Sequence, residues 1–430
     1  MRGTAVSAVP DHAGALPNLD TVIRGLLYVY IFSLPFKQLL FVERNGFIIL
    51  VVLLALWCAV NKRHFFTRTP IDIPLVAFVL WVGLTIPFAA FPAYSFKEFG
   101  KLLQQGLIFY VVVFFFRGGV GRSRLLWTLI GVLFIVSAYG VEQFIEMLIG
   151  LRGLDQSGNP ALLESVMSGE VWLTTYLVLL APVSLLLAVF EQRPWPRAFY
   201  FTTSCLALIC LLGTFSRAGL LALVCEIWAM AWFLSRRTAL LAAAISSLLV
   251  VVVAGTVQYY DVRTIPGTSI NLRVGTGTLV HRLDIWKFSA TELAVHPLVG
   301  IGYGKDNFKL VYGGLPEKVK PGHTPVHSAG THNTFLDTAL GTGIPGLVLF
   351  VWLFTRLLST VLSGFHGTES RAEKAIRLGV GIGVIGLVVR LLFDHMFIGT
   401  LAIQFWVLVA LAMVVYTDRA AREQAADAAH

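Results

Sequence analysis

Charge is scarce in this sequence. Of its 430 residues only 13% are Asp, Glu, Lys or Arg, while 57% are hydrophobic; an ordinary soluble domain carries about 25% charged residues. With a mean hydropathy of +0.77, that imbalance excludes a soluble globular protein and calls for lipid as solvent. Cysteine is sparse as well. Cys58, Cys205, Cys210 and Cys225 all lie inside apolar segments with no CxxC spacing, which argues against a disulfide framework or a cysteine metal site and leaves them as lipid-facing or packing residues. Several catalytic signatures are also missing. There is no DxD motif to hold a metal on a nucleotide sugar, no P-loop, no GxSxG elbow and no HExxH, so metal-independent chemistry without cofactors is expected. The first twenty residues are polar and lack the short apolar core of a signal peptide, so the first hydrophobic segment is expected to be retained.

What is abundant is long apolar runs. A bilayer core about 30 Å thick needs about 20 mostly apolar residues per helix, and such runs fall at residues 22–36, 46–60, 71–91, 102–116, 124–149, 171–190, 199–215, 218–234, 238–257, 334–358, 376–393 and 398–416. The expectation is an all-α polytopic membrane protein of about twelve transmembrane helices. Twelve spans put both termini on one side. The termini and even-numbered connections carry seventeen Lys/Arg and the short odd-numbered ones seven, so both ends are expected in the cytoplasm. The chain then divides into a cytoplasmic tail (1–21), spans one to nine (22–257), a large outer loop subdomain (258–331), spans ten to twelve (332–416) and a second cytoplasmic tail (417–430). In a Gram-negative cell the loop faces the periplasm and the spans lie in the inner membrane. The loop carries eight Lys/Arg against five Asp/Glu, an excess that suits an anionic partner. It should contain a helix near residues 279–295, stopped by His296-Pro297. The net charge of +9 is spread along interhelical loops and forms no patch for nucleic acid.

Three residues stand out against this background. Arg217, in Gly213-Thr-Phe-Ser-Arg-Ala-Gly219, interrupts an almost uncharged stretch, and its nearest acidic residue, Glu226, is off the helical neighbour spacing. It is either a charge snorkelling to the lipid headgroups or a phosphate clamp at the membrane surface, a role that the guanidinium fork suits. Arg282 opens the expected loop helix, as solvated surface or as a partner of Asp284, and is followed by the glycine-spaced run Gly300-Ile-Gly-Tyr-Gly304, which would form a tight turn beside the membrane. His332, in Gly330-Thr-His-Asn-Thr-Phe335, stands where the loop turns into the tenth span, with Thr331 or Asn333 as helix cap. A neutral imidazole there could act as general base, and the helix end would attract a diphosphate. The alternative is an interfacial histidine bonded to the loop. His323 and His327 are read as part of a flexible Gly/Pro-rich loop and not as metal ligands.

Together these pieces resemble the bacterial O-antigen ligase and polymerase superfamily: Ser216-Arg217-Ala218-Gly219 in mid-chain; Arg282 with Trp286 and then Pro297-Leu-Val-Gly-Ile-Gly-Tyr-Gly304; and His332-Asn333-Thr-Phe-Leu336 followed by Gly341, Gly343 and Gly346. The resemblance implies glycosyl transfer from an undecaprenyl diphosphate-linked O-antigen donor to a lipid A-core acceptor at the periplasmic face, independent of metal. In that mapping Arg217 and Arg282, with Asn333, bind the donor diphosphate, and His332 is the base on the acceptor hydroxyl, with inversion at the anomeric carbon. Charge-assisted hydrogen bonds of about 1.5 to 3 kcal/mol each suit a leaving diphosphate, and general-base help adds roughly a hundred- to ten-thousand-fold.

Two other readings stay open. Polymerases of the superfamily are associated with RxxxxxxxxxxG elements in outer loops, and that spacing, from Arg356 to Gly367, falls here on the expected cytoplasmic side. Protein O-glycosyltransferases of the group usually carry a further soluble C-terminal region, which disfavours that branch. In a different class, a twelve-span transporter would betray itself by midplane charges, for which Glu142, Glu146, Glu226, Arg390 and Asp394 are the candidates. Gly379 and Gly383 are more simply a close-packing face.

Overall fold

The computed structural model describes residues 17–151, 163–234, 277–315, 326–328, 330–363, 370–395 and 397–427, together with 262–264, 271–273 and a few single positions between 237 and 246. In chain order the helices are α1 (Pro17–Ser33), α2 (Leu40–Asn61), α3 (Asp72–Thr85), α4 (Pro92–Phe115), α5 (Gly119–Leu148), α6 (Glu170–Phe190), α7 (Pro194–Gly213), α8 (Arg217–Leu234), α9 (Gly277–Val295), α10 (Asn307–Tyr312), α11 (Thr334–Leu362), α12 (Arg371–Leu391) and α13 (Gly399–Asp427). A short antiparallel ribbon, Val262–Thr264 with Asn271–Arg273, precedes α9; nothing in the sequence pattern announces it.

This is an all-α polytopic membrane protein. Among the described residues eight helices are long and apolar enough to cross a membrane. Of the twelve expected spans, the ninth (238–257) lies outside the described residues apart from three single positions. Three more fall on helices that miss those limits: α1 has 17 residues, α3 has 14, and α12 carries Arg371, Glu373, Lys374, Arg377 and Arg390. The expected loop helix is present as α9, and it ends at Val295, before His296-Pro297.

Position in the bundle follows from how much of each helix is wrapped by others. The apolar windows of α6 and α13 are 78% and 83% buried, whereas that of α2 is 17%. A helix apolar all round belongs in the middle or against lipid: α6 and α13 take the first place, α2 the second. α12 packs along α6 and α8, and glycine makes the approach close. A Cβ on Gly379 would stand 2.6 Å from the Val183 Cα, and one on Gly383 would strike the Leu179 carbonyl oxygen, so these glycines do form a packing face. Two of the charges inside the bundle, Arg377 and Glu373, are accounted for by caps and pairs. Arg377, 1% exposed, donates to the carbonyls of Thr360, Val361 and Ser363 at the C-terminal end of α11, the end of the helix dipole where a cation is favourable. At the same end of the bundle Glu373 joins Arg122 at 3.0 Å and Arg422 at 2.7 Å and completes a capping box with Ser370.

The opposite end, the loop end, carries α9 and α10. It is fastened to α11 by the break in that helix. Gly343 has φ +75°, ψ 176° and is followed by Pro345, which has no N–H to donate. The loop segment takes over the bonds that the break frees: Ile301 N donates to Leu340 O at 2.7 Å, Gly302 N to Gly341 O at 3.0 Å, and Ile344 N turns to Pro297 O at 2.8 Å. Trp81 Nε1 donates to Thr342 O at 2.8 Å. The glycine-spaced run is therefore a docking strand for a broken helix, which is more than a tight turn. Gly300 at φ +69° needs glycine twice over, since a Cβ there would strike Leu340 O.

Candidate functional site

Four chain segments meet at the loop end: the turn between α7 and α8, the start of α9, the start of α11 and the residues that follow α12. Their meeting point is Asp394. Its Oδ2 lies 3.1 Å from Arg390 Nη1, and its Oδ1 lies 3.5 Å from Arg282 Nη2 and 3.8 Å from His332 Nδ1. Thr334 Oγ1 donates to the Asp394 carbonyl at 3.0 Å, fixing the carboxylate against the start of α11. Two guanidiniums share this carboxylate and Glu170 adds a second negative charge near Arg390, so it is Arg217 that gives the cluster its positive excess.

Each side chain is placed by local chemistry. Ser216 caps α8, its Oγ accepting from Gly219 N at 3.3 Å, and Gly219 is small because a Cβ would strike Thr174. That turn sets Arg217 at the first position of α8, exposed. Arg390 is 1% exposed and reaches Thr175 Oγ1 at 3.4 Å and Ser216 Oγ at 3.5 Å, so it links the Ser-Arg-x-Gly turn to Asp394. Arg282 sits on the first turns of α9; the expected partner Asp284 gives way to Asp394, 112 residues away. Asn333 caps α11, its side chain accepting from Leu336 N at 3.0 Å. His332 just before it has φ +49°, a backbone state that non-glycine residues adopt at a cost of order 1–3 kcal/mol. Trp286 Nε1 holds this segment by donating to Thr331 O at 2.9 Å.

A second acid–base pair adjoins the first. His395 Nδ1 contacts Asp337 Oδ2, and Asp337 also accepts from Thr331 Oγ1. The two pairs are therefore next to each other along both strands of the junction, 394–395 and 331–337.

The structure brings Arg282 and His332 together around one carboxylate and places Arg217 one residue from a member of the same network. His327 packs on the Phe288 ring, 4.5 Å between centroids; His323 lies outside the described residues. Sequence reasoning missed Arg390, Asp394, Asp337 and His395 as site residues. It noted Arg390 and Asp394 only as possible transporter charges, although an Arg-x-x-x-Asp-His run closing a span was a usable signal. Of the other such charges, Glu226 is buried on α8 against Gly386, which stands one helical turn before Arg390 on α12.

The fold and the site together define a multi-pass helical membrane protein with a cationic, histidine-bearing cluster at one end of its spans. Comparison with known proteins shows what the chain is similar to. Residues 202–351 match the family model described as O-antigen ligase, a range that holds Arg217, Arg282 and His332. Among curated proteins, a "Putative polysaccharide ligase" of Rickettsia conorii is 30% identical over 145 residues, 32% of each chain. Another with that title from Rickettsia prowazekii is 35% identical over 88 residues, 19% of this chain and 20% of the relative. One from Rickettsia felis is 28% identical over 145 residues, 32% of this chain and 33% of the relative. The matches thus cover about a third or less of these relatives, and they support the O-antigen ligase family for this chain.

Proposed function

We propose that this protein is a glycan ligase of the O-antigen ligase type, transferring a polysaccharide from an undecaprenyl diphosphate-linked donor to a lipid A-core acceptor at the outer face of the inner membrane. The observation that carries the reading is the convergence of Arg282, Arg390 and His332 on Asp394, at the end of the spans that bears the loop subdomain.

The division of labour follows from exposure. Arg217 is exposed, Arg282 is 27% exposed and the His332 side chain 44%, so these three can reach a ligand. Buried Arg390 holds Asp394 and acts as a positioning residue. The guanidiniums of Arg217 and Arg282 bind the donor diphosphate, with the start of α11, capped by Asn333, adding a favourable dipole. The acceptor hydroxyl attacks the anomeric carbon from the face opposite the diphosphate. The new glycosidic C–O bond forms as the old one breaks, and the diphosphate leaves with the electron pair. The hydroxyl proton passes to His332 Nε2, while Nδ1 faces Asp394, which stabilises the imidazolium that results. The donor is already activated, so the step needs no ATP, and the sequence offers no DxD motif for a metal-bound nucleotide sugar.

The test is transfer of labelled glycan from purified donor to lipid A-core in EDTA, comparing wild type with His332→Ala and Arg217→Ala. Product from wild type alone supports a metal-independent ligase. Longer lipid-linked chains without transfer to the acceptor would mean a polymerase; no glycan product from folded protein would turn the reading toward a transporter.

A further inference from the structure

Beside the Asp394 cluster a cavity of about 170 Å³ opens at the loop end, between α4, the start of α11, the start of α6 and the residues leading into α13. Its polar lining includes Gln105, Asp337 and His395, and its apolar lining includes the rings of Trp172, Phe350 and Phe397. Gln105 is 5% exposed, and among the described residues nothing donates a hydrogen bond to its Oε1. A buried amide oxygen left without a donor is costly, and a ligand hydroxyl in the cavity would supply one.

The lining carries two carboxylates, Glu98 and Asp337, and two lysines, Lys101 and Lys305. Glu98 is joined to Lys101 at 2.6 Å, and Asp337 to His395. Burial, and then the neighbouring Glu98, raises the Tyr303 hydroxyl above its ordinary range, so it stays a neutral donor. The lining is thus polar without the cationic excess of the Asp394 cluster. Hydrogen-bonding groups on one side and aromatic faces on the other suit a ring that carries hydroxyls at its edge and C–H bonds on its faces.

We propose that this cavity is a subsite for one uncharged sugar ring, hydrogen-bonded by Gln105 and the Asp337–His395 pair and laid against Trp172. The cavity shares its wall with the cluster: Thr334 lines it and bonds to Asp394, and Asp337 is bonded to Thr331, the neighbour of His332. A ring seated here lies alongside the His332 segment. The source of the ring rests on the glycan-transfer reading, since it belongs either to the acceptor or to the sugar end of the donor.

The experiment uses the full-length protein in lipid nanodiscs with methyl glucopyranoside and methyl galactopyranoside as probes and glucuronate as an anionic control, read by saturation-transfer NMR. Wild type and Arg282→Ala are expected to saturate the ring protons of at least one neutral probe and not those of glucuronate. Gln105→Leu is expected to weaken that binding by roughly three- to tenfold, the worth of one net hydrogen bond. Trp172→Leu, on a separate helix, should weaken it as well and serves if Gln105→Leu does not fold. Absence of saturation in wild type, or equal saturation in wild type and folded variants, overturns the subsite. Transfer assays then separate the sources: a raised KM for acceptor alone assigns the ring to the acceptor, and a raised KM for donor alone assigns it to the donor. Transfer with both KM values unchanged in folded Gln105→Leu sinks the subsite and leaves the ligase reading standing. Sugar binding in a wild type that transfers nothing does the reverse.

Discussion

Arg282 and Asp394, 112 residues apart in the chain, approach to 3.5 Å and fasten the loop helix α9 to the end of α12. The same carboxylate oxygen lies 3.8 Å from His332 Nδ1. One side chain therefore sets both the arginine proposed to bind the diphosphate and the proposed base, which in that reading would couple binding of the donor to activation of the acceptor.

Asp394→Asn is expected to lower kcat for glycan transfer by about a hundredfold, the lower end of what a positioned base contributes. The amide keeps the shape of the carboxylate but stabilises neither the imidazolium nor the buried Arg390. A donor KM that rises while kcat is unchanged would show that Asp394 serves only Arg282, and would detach it from His332.

Trp286→Phe keeps the ring and removes the hydrogen bond to Thr331 O. The expected cost is about 1 kcal/mol of stability, read as a lowered melting temperature, together with a reduced kcat because the segment bearing His332 loosens. A variant that melts lower with wild-type kcat would mean that the tie is structural alone.

The parts of this arrangement differ in how far the sequence revealed them. The kink in α11 has a local cause, since Gly341, Gly343, Pro345 and Gly346 crowd into a short stretch of an apolar run. The cap at Asn333, which the sequence offered beside Thr331, was legible because it too is local. What the broken helix bonds to was not: Ile301 and Gly302 lie about forty residues before their partners Leu340 and Gly341, and no periodicity connects them. Asp394 was misread because a charge near the end of an apolar run looks the same whether it faces a transport path or a surface site. Only the fold shows that Arg282 and His332 converge on it.

Arg377→Leu is expected to destabilise the protein by at least about 2 kcal/mol, since it leaves the carbonyls of Thr360, Val361 and Ser363 short of a donor inside the bundle. Arg377→Lys should recover part of this, having the charge without the planar fork. Thermal unfolding in detergent, followed by tryptophan fluorescence, ranks the three proteins. A leucine variant as stable as wild type would remove the capping role.

Gly343→Ala tests the join between loop and helix. At φ +75° an alanine is strained wherever it sits, and here its Cβ would also strike the Leu298 carbonyl oxygen. The helix would have to straighten or the loop strand lift away, and either change undoes the bonds from Ile301 and Gly302 that position the loop end. The expected outcome is a loss of more than about 2 kcal/mol of stability together with loss of transfer. Gly131→Ala provides the contrast: it lies inside α5, where an added Cβ would have nothing within 4 Å, and gains up to about 1 kcal/mol from helix propensity alone. Equal melting temperatures for the two variants would mean that the break at Gly343 is not needed to hold the loop.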